Sequence, residues 1–323
     1  MADTADTAGK TVKADKAAQA AAQIGSFAGE AARARILGAY DKAMAFWPEP
    51  RGQQDVATSF GTTRVHTCEG GAGTPVVLLH GRSATPAEWA PHVAALGGDR
   101  PVLAVDRAGE PGYSAQTAPI RTADHIADWL EEVLAGLGLE RAHLVGHSYG
   151  GCVALNHAAH RPARVASVTA YEPPRALAPL KPGFVLNAAA AVLSGSGKFQ
   201  HRWFTRLIGD TGADPAQAEA LAQASLEAIR GFRIRLPQPW RMTDEELRAV
   251  TAPALILLGG ADKAMDARRA QERARRLIPD VRTEIVPGAG HGIPVQLLND
   301  RLPAFLREVD RGADREADEG APS

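Results

Sequence analysis

The chain has 323 residues, 45% of them hydrophobic, which is enough to bury one large core or two small ones. With 36 basic and 37 acidic residues the net charge is -1, so neither nucleic acid nor an anionic membrane surface is an expected partner. The two cysteines, Cys68 and Cys152, lie in unrelated sequence contexts, and a structural disulfide is not expected.

Both ends of the chain are predicted to lie outside the folded core. Residues 1–28 are a predicted flexible arm, because the first part is rich in Ala, Asp, Lys and Thr and poor in large apolar side chains. The N-terminus lacks the apolar centre of a signal peptide, and no run reaches the roughly 18 apolar residues of a membrane span. The expected location is therefore the cytoplasm. Residues 310–323 are predicted to form a disordered acidic tail.

The segment before residue 75 contains one helical pattern and two β-like runs. Apolar residues recur at helical spacing from Ile36 to Trp47, which predicts a docked amphipathic helix that two prolines end. Residues 56–60 and 63–68 predict short strands that pair as a hairpin.

From Pro75 onward, buried strands alternate with amphipathic helices, which is typical of a parallel sheet covered on both faces. The predicted strands are residues 76–79, 102–105, 144–145, 165–170, 254–258 and 283–286. Helices are predicted at 87–96 and 123–137, with Thr122 as the N-cap of the second. The expected fold is α/β, with a mostly parallel sheet that is mixed only at its N-terminal edge.

The alternation stops for roughly eighty residues between Pro173 and Ala252, far longer than an ordinary strand-to-helix connection. The segment has helical patterns of its own, including a capping box at Thr243 and Glu246. We interpret residues 173–252 as a helical cap. It is inserted between two parts of one core, residues 29–172 and 253–309.

A Gly-x-Ser-x-Gly turn follows the predicted strand at residues 144–145 and precedes a run with helical character. A serine in a sharp strand-to-helix turn needs glycines on both sides, and Gly146 and Gly150 supply them. Ser148 is therefore the candidate nucleophile. The backbone N–H of Tyr149 would lie at a helix N-terminus, where it can stabilise negative charge.

The first parallel strand ends in His80-Gly81-Arg82-Ser83. The glycine allows a sharp turn that would direct the Arg82 N–H toward the serine, giving an oxyanion site together with Tyr149. The alternative is an ordinary strand-to-helix turn. His80 is expected to stabilise the turn, and Trp89 to pack in the core.

Two later strand ends carry an acid and a histidine. Asp262 follows Gly259-Gly260-Ala261, and His291 lies in a glycine-lined loop directly after the last predicted strand. Ligands of doubly wound sheets bind at the carboxyl ends of the strands, so these side chains are candidates for chemistry. Asp266 and Glu172 are rivals to Asp262. Asp106, in a tight connection, is expected to accept backbone N–H groups instead.

The order Ser148, Asp262, His291 and the motifs around them resemble the α/β-hydrolases that carry HGxxxxxxxW, DxxGxGxS and GxSxGG motifs, over residues 46–309. Residues 40–80 further resemble the approach to the His-Gly motif in a bacterial carboxylesterase-like subgroup. The serine at the elbow argues against the dehalogenase and epoxide-hydrolase branches, which use aspartate there.

The resemblance implies a serine hydrolase that cleaves an ester, thioester or lactone of a small acyl substrate. His291 would take the proton of Ser148, Asp262 would orient the imidazole, and the Arg82 and Tyr149 amides would stabilise the oxyanion. Neither a metal nor an organic cofactor is expected. Carbon–carbon bond hydrolysis, perhydrolysis or a cyclisation or lyase step by the same triad is one alternative. A non-catalytic binding protein on this scaffold is another. The oligomeric state and the physiological substrate stay open.

Substrate selection is the least explicit feature of the sequence. Residues 230–241 alternate arginines with apolar side chains, which predicts a cap element with its apolar groups inward and its arginines in solvent. The alternative is that Arg82, with one of these arginines, binds a substrate carboxylate. Trp240 is a second candidate for substrate contact.

Overall fold

The computed structural model describes residues 23–292 and 294–319. In chain order its elements are β1 (Ser26–Phe27), α1 (Glu30–Met44), β2 (Gly52–Thr58), β3 (Gly61–Cys68), β4 (Val76–Leu79), α2 (Ala90–Leu96), β5 (Val102–Val105), β6 (Ala115–Gln116), α3 (Ala123–Gly136), β7 (Ala142–His147), α4 (Tyr149–His160), β8 (Val165–Tyr171), α5 (Pro182–Leu193), α6 (Gly197–Ile208), α7 (Pro215–Gly231), β9 (Phe232–Arg233), α8 (Asp244–Arg248), β10 (Ala254–Gly259), α9 (Ala267–Leu277), β11 (Val281–Val286) and α10 (Val295–Glu319). Short 3-10 turns occupy Pro86–Trp89 and Pro162–Arg164.

The main sheet has the strand order β11-β10-β8-β7-β4-β5-β3-β2, with the short β6 also paired to β3. The pairings from β11 through to β5 are parallel, whereas β3 runs antiparallel to β5, β2 and β6. The six predicted parallel strands and the N-terminal hairpin all form. The prediction of a mostly parallel sheet, mixed at its N-terminal edge, is confirmed.

Alternate residues of each strand face opposite sides of the sheet, and both sides are covered. Val77 and Leu79 of β4 join a core beneath α3, α4 and α9, while Val76 and Leu78 join a second core beneath α1, α2 and α10. All four of these side chains are buried. This is why the strand reads as a continuous apolar run rather than as an alternation.

The helix starts follow local chemistry. The Thr122 hydroxyl accepts a hydrogen bond from the His125 N–H at 3.1 Å, so the predicted N-cap of α3 is confirmed. The helix predicted at 87–96 is divided into a 3-10 turn and α2. Pro91 has no N–H to donate to the carbonyl four residues earlier, which favours its place in the first turn of α2, where that bond is not needed.

Four helices and β9 lie between β8 and β10, where the alternation of the sequence stops. The predicted capping box is confirmed: Glu246 N–H donates to Thr243 Oγ1 at 3.1 Å, and Thr243 N–H donates to Glu246 Oε2 at 2.6 Å. In the later part of the segment, Leu236 is buried and Ile234 and Trp240 pack against the core, as the inward pattern predicted.

The flexible-arm prediction is wrong for residues 23–28, and residues 1–22 lie outside the described part of the chain. Strand β1 pairs antiparallel with β9, and Phe27 packs edge-on against Phe232 at 4.9 Å between ring centroids. Gly25 N–H also donates to Gln116 Oε1 at 2.8 Å. Because the partner strand supplies backbone hydrogen bonds, one half-buried aromatic ring is enough to dock a segment of low hydrophobicity.

The disordered-tail prediction is wrong for residues 310–319, which continue α10, while residues 320–323 are outside the described range. Asp310 accepts hydrogen bonds from Arg100 Nη1 at 2.9 Å and His143 Nε2 at 3.0 Å. Asp310, which the sequence analysis placed in a disordered acidic tail, thus accepts hydrogen bonds from two buried donors. Among the described helices, none is both long and apolar enough to cross a bilayer.

Candidate active site

Ser148 lies between β7 and α4 with φ = 51°, in the left-handed region that non-glycine residues rarely occupy. A Cβ at Gly146 would collide with the Gly150 carbonyl, and a Cβ at Gly150 would collide with the Leu79 carbonyl. The turn is possible only because both positions are glycine. The predicted elbow is therefore present, with the Ser148 hydroxyl at the carboxyl end of the sheet.

The structure brings together the three side chains that the sequence indicated. Ser148 Oγ lies 2.9 Å from His291 Nε2, and His291 Nδ1 lies 3.3 Å from Asp262 Oδ1. His291 and Asp262 are both buried, at 6% and 3% exposure. With Nδ1 protonated toward the carboxylate, Nε2 is left as the acceptor for the serine hydroxyl.

The loop that carries His291 is held by the end of α6. His291 N–H donates to the Leu207 carbonyl at 2.9 Å, and Gly292 N–H donates to the Ile208 carbonyl at 3.0 Å. A Cβ at Gly290 would meet those same two carbonyls at 2.9 and 2.8 Å, which explains the glycine before the histidine. The segment between β8 and β10 thus fixes the backbone of the histidine loop.

Asp262 is oriented by backbone donors from the turn that follows it. Its Oδ1 accepts from Ala264 N–H at 3.0 Å, and its Oδ2 accepts from Met265 N–H at 3.1 Å. Its rival Asp266 instead caps α9 by accepting from Arg269 N–H at 3.1 Å. Of these two acids, only Asp262 faces the imidazole.

The electrostatics leave the pair in the form that general base catalysis needs. Burial lowers the pKa of His291 below its usual value, although the hydrogen bond to Asp262 opposes this shift. Burial alone would raise the pKa of Asp262, but the hydrogen bond and charge of His291 and the Ala264 amide together hold that pKa below its usual range. At neutral pH the imidazole is therefore neutral and the carboxylate ionised.

The other rival, Glu172, lies in the same cluster. It is fully buried, follows β8 with φ = 49°, and places Oε2 4.0 Å from His291 Nδ1. Burial and the neighbouring Asp262 charge raise the pKa of Glu172 well above its usual value. Two carboxyl groups therefore share the space behind one imidazole.

Glu172, Asp262 and His291 each offer a potential metal ligand, and these atoms lie within 4.8 Å of one another. Hydrogen bonds already engage this set. Asp262 accepts the Ala264 and Met265 amides and faces His291, while Glu172 accepts from Gly259 N–H. Backbone amides thus engage both oxygens of Asp262 and one oxygen of Glu172, whereas Glu172 Oε2 has no hydrogen-bond partner among the described residues.

The loop after β4 presents one unpaired backbone donor between two paired ones. Gly81 N–H donates to Glu88 Oε1 at 2.9 Å, and Ser83 N–H donates to Glu110 Oε2 at 3.0 Å. The amide between them, that of Arg82, donates to no residue in the described ranges, and neither does that of Tyr149. A Cβ on Gly81 would lie 3.5 Å from Ser148 Cβ, so this loop adjoins the nucleophile.

The sequence analysis missed the charged side chains that hold the loop after β4 in place. Arg107 and Glu110 form an ion pair at 3.3 Å, with 2% and 0% of their side chains exposed. The Arg107 guanidinium also lies 4.9 Å from the centroid of the Tyr149 ring. The available signal was two opposite charges three residues apart in a Gly- and Pro-rich loop, a pattern that usually indicates solvent exposure.

His147 is a further missed neighbour of the site. Its ring stacks on Tyr171 at 4.4 Å, its Nδ1 lies 3.3 Å from Glu88 Oε2, and its Nε2 lies 3.3 Å from the His291 carbonyl oxygen. It thus connects the elbow to the histidine loop. Its position between Gly146 and Ser148 was the only sequence signal.

The supporting assignments agree with the structure. Asp106 accepts from Tyr113 N–H at 2.6 Å and Ser114 N–H at 3.1 Å, as expected of a residue that fixes a turn. His80 Nδ1 contacts the Gly81 carbonyl at 2.7 Å, and its Nε2 accepts from Arg107 N–H at 3.2 Å. Trp89 is completely buried.

The two substrate-contact candidates both lie against Tyr149. The Arg82 guanidinium carbon is 5.4 Å from the Tyr149 ring centroid, and its Nη1 donates to the Pro237 carbonyl at 3.1 Å. The Trp240 ring packs edge-on against Tyr149 at 6.1 Å. Tyr149 Oη also donates to the Pro237 carbonyl, at 2.9 Å. The 230–241 segment is thus attached to the residue that follows the nucleophile.

A strained serine on a strand-to-helix turn, paired with a histidine that faces a carboxylate at the ends of a mostly parallel sheet, defines an α/β-type serine hydrolase. Residues 76–304 match the sequence profile of the alpha/beta hydrolase family. The chain belongs to this family.

Sequence and structure comparisons cover most of the chain. Carboxylesterase YbfK of Bacillus subtilis (strain 168) is 29% identical over 279 residues, which is 84% of this chain and 93% of that protein. The crystal structure of naproxen esterase (carboxylesterase NP) from Bacillus subtilis has a TM-score of 0.77 at 28% identity, covering 84% of this chain and 97% of that one. The crystal structure of carboxylesterase CesB (YbfK) from Bacillus subtilis has a TM-score of 0.72 at 27% identity, covering 86% and 96%. The expected α/β-hydrolase fold is confirmed.

Proposed function

We propose that the protein hydrolyses carboxylic esters of small molecules through an acyl-enzyme on Ser148. His291 Nε2 takes the hydroxyl proton as Ser148 Oγ attacks the carbonyl carbon, and then gives that proton to the departing alcohol. Water, deprotonated by the same nitrogen, attacks the acyl carbon and releases the acid. Asp262 holds Nδ1–H throughout and stabilises the imidazolium.

The proposal rests on the 2.9 Å contact between Ser148 Oγ and the neutral imidazole of His291, with Ser148 held in a strained turn. The amides of Arg82 and Tyr149 donate to no other described residue and support the same reaction, because a tetrahedral intermediate needs two donors that have no other acceptor. Ester hydrolysis is favoured over the other triad reactions by the carboxylesterases to which the chain is similar.

We also propose that residues 173–252 act as a cap over the site. The support is that α6 binds the histidine loop and that Pro237 receives hydrogen bonds from both Arg82 and Tyr149. In this arrangement Trp240 and the Arg82 side chain contact the substrate, and the guanidinium binds a carboxylate on substrates that carry one.

Fluorophosphonate labelling and turnover of p-nitrophenyl acetate test the proposal together. Wild-type protein is expected to be labelled once and to turn over the ester. Ser148→Ala should lose both, with turnover falling by several powers of ten. Ser194→Ala, at an exposed position between α5 and α6, is the matched control and should behave as wild type.

A Ser148→Ala variant with near-wild-type turnover contradicts the serine-hydrolase mechanism. A wild-type protein that is labelled but hydrolyses no member of an ester and thioester panel would instead favour another reaction of the same triad.

A further inference from the structure

Glu172 joins the ends of two neighbouring strands behind the triad. Its backbone N–H donates to the Leu257 carbonyl at 3.0 Å, and its Oε1 accepts from Gly259 N–H. Gly259 ends β10 and begins the turn that carries Asp262. A Cβ on Gly259 would collide with the Gly290 and Ala289 carbonyls and would lie 2.8 Å from Glu172 Oε1, so only a glycine fits between this loop and the carboxyl group. The backbone and the side chain of Glu172 are therefore both bound to the end of β10, next to the turn that carries Asp262.

The second oxygen of Glu172 points into the triad. Glu172 Oε2 is buried 4.0 Å from His291 Nδ1, and carboxyl oxygens of Glu172 and Asp262 lie within 4.8 Å of each other. In such a buried space, two ionised carboxylates would repel each other strongly. The pair therefore holds one negative charge and one proton.

The surrounding groups decide which carboxyl is ionised. Asp262 accepts two backbone amides and faces His291, whereas Glu172 accepts a single amide, that of Gly259, within the described part of the chain. The other charged or titratable groups nearby are Lys181, whose Nζ donates to the Asp262 carbonyl at 2.7 Å, and His147, whose ring lies 5.3 Å from that of His291. His147 in turn faces Glu88. More donors converge on Asp262, so the charge resides there and Glu172 keeps the proton.

We infer that Glu172 is a positioning residue for the triad: its carboxylic acid donates a hydrogen bond that orients Asp262, and it supplies the negative charge beside His291 when residue 262 cannot. The inference rests on the proposed function. In the wild-type cycle Glu172 keeps its proton, and only the Ser148 proton moves to and from His291. When residue 262 is neutral, Glu172 must lose its proton to solvent before it can stabilise the imidazolium.

Four proteins test this role: wild type, Glu172→Gln, Asp262→Asn and the double variant. Glutamine keeps an acceptor for Gly259 and a donor for Asp262, so Glu172→Gln should lose less kcat/KM than Asp262→Asn does. Asp262→Asn should lose at most about 100-fold, less than the roughly 10⁴-fold reported for a triad acid replaced by its amide. The double variant should lose at least tenfold more than Asp262→Asn.

The pH profile supplies a readout that a purely structural role would not change. The activity of Asp262→Asn should rise with pH along a limb whose midpoint lies at a higher pH than the wild-type midpoint, because Glu172 must now ionise. That displaced limb should be absent from the double variant. Thermal unfolding of all four proteins checks that they fold.

Two results would overturn the inference. One is a double variant that is as active as Asp262→Asn, since Glu172 would then supply no charge. The other is Glu172→Gln losing as much activity as Asp262→Asn, since Glu172 would then be the triad acid itself. Fluorophosphonate labelling of Ser148 in wild-type protein tests the proposed function separately from both.

Discussion

His291 carries the acid–base chemistry of the site, and its burial determines when it can act. The ring is 6% exposed and lies between Ser148 and the carboxyl pair. Desolvation disfavours the imidazolium in the free enzyme, while Asp262 limits how far the pKa falls. The same Asp262 stabilises the imidazolium that forms transiently during attack.

The acid limb of kcat/KM should therefore have its midpoint below the usual histidine pKa of about 6.5. Protonation of His291 removes the general base, so activity falls as pH decreases through that midpoint and is constant near pH 7. Initial rates with a neutral p-nitrophenyl ester between pH 4 and 9 measure this. Tryptophan fluorescence at each pH confirms that the protein is folded. A midpoint above 7 would mean that burial does not dominate the pKa.

At the scale of elements, the oxyanion loop and the cap segment are joined through one side chain. Arg82 contributes its backbone amide to the loop, while its guanidinium lies over Tyr149 and binds Pro237. A guanidinium has five N–H donors, and the Pro237 carbonyl accepts from Nη1. The remaining donors can bind a substrate oxygen.

Arg82→Met should leave hydrolysis of neutral short esters within about threefold of wild type, because the backbone amide survives. Loss of a charge-assisted contact worth about 1.5 to 3 kcal/mol should lower kcat/KM for a half-ester of a dicarboxylic acid by about ten- to a hundredfold. Arg235→Met, at an exposed position of the same segment, is the control and should change neither rate.

Parallel kinetics on the two ester types separate the roles of Arg82. An equal loss on both would show that its bond to Pro237 supports the oxyanion loop instead of binding substrate. Unchanged rates on both would exclude a role in substrate binding.

At the scale of the whole molecule, Asp310 links the C-terminal helix to the sheet. Arg100 has 2% of its side chain exposed and His143 has none, and both donate to this one carboxylate. Burial alone would raise the pKa of Asp310, but hydrogen bonding and the charge of His143 lower it to about 2. The stabilisation is complete above the usual pKa of aspartate and is lost as pH falls from about 4 toward 2.

A chain that ends at Arg311 should keep the wild-type Tm, whereas one that ends at Val309 should unfold several degrees lower. The second truncation leaves buried His143 Nε2 without its acceptor, at a cost of about 1 to 3 kcal/mol, and Arg100 loses Asp310 while keeping Asp99 and Thr74. Differential scanning calorimetry at pH 7 measures the difference. Asp310→Asn in the full chain should reproduce most of it. Equal Tm values for the two truncated chains would contradict the link.

Sequence alone was informative where the signal is local. The run Val76–Leu79 predicts a strand covered on both faces, Thr122 predicts a helix start, and Gly146 and Gly150 predict the only turn that can hold Ser148. In each case the cause is the steric or hydrogen-bonding behaviour of residues a few positions apart. The Asp262 and His291 loops were located for the same reason, since each directly follows a strand.

Tertiary structure decided the features that depend on residues distant in sequence. Ser83 pairs with Glu110 across 27 positions, Gly259 with Glu172 across 87, and His143 with Asp310 across 167. No local pattern distinguishes a buried acid with such partners from a solvated one, because the difference lies in the desolvation that packing imposes. For that reason the sequence indicated a disordered tail at Asp310 and left Glu172 as a rival to Asp262. The folded chain instead makes Asp310 a half-buried anchor for Arg100 and His143, and it places Glu172 beside Asp262.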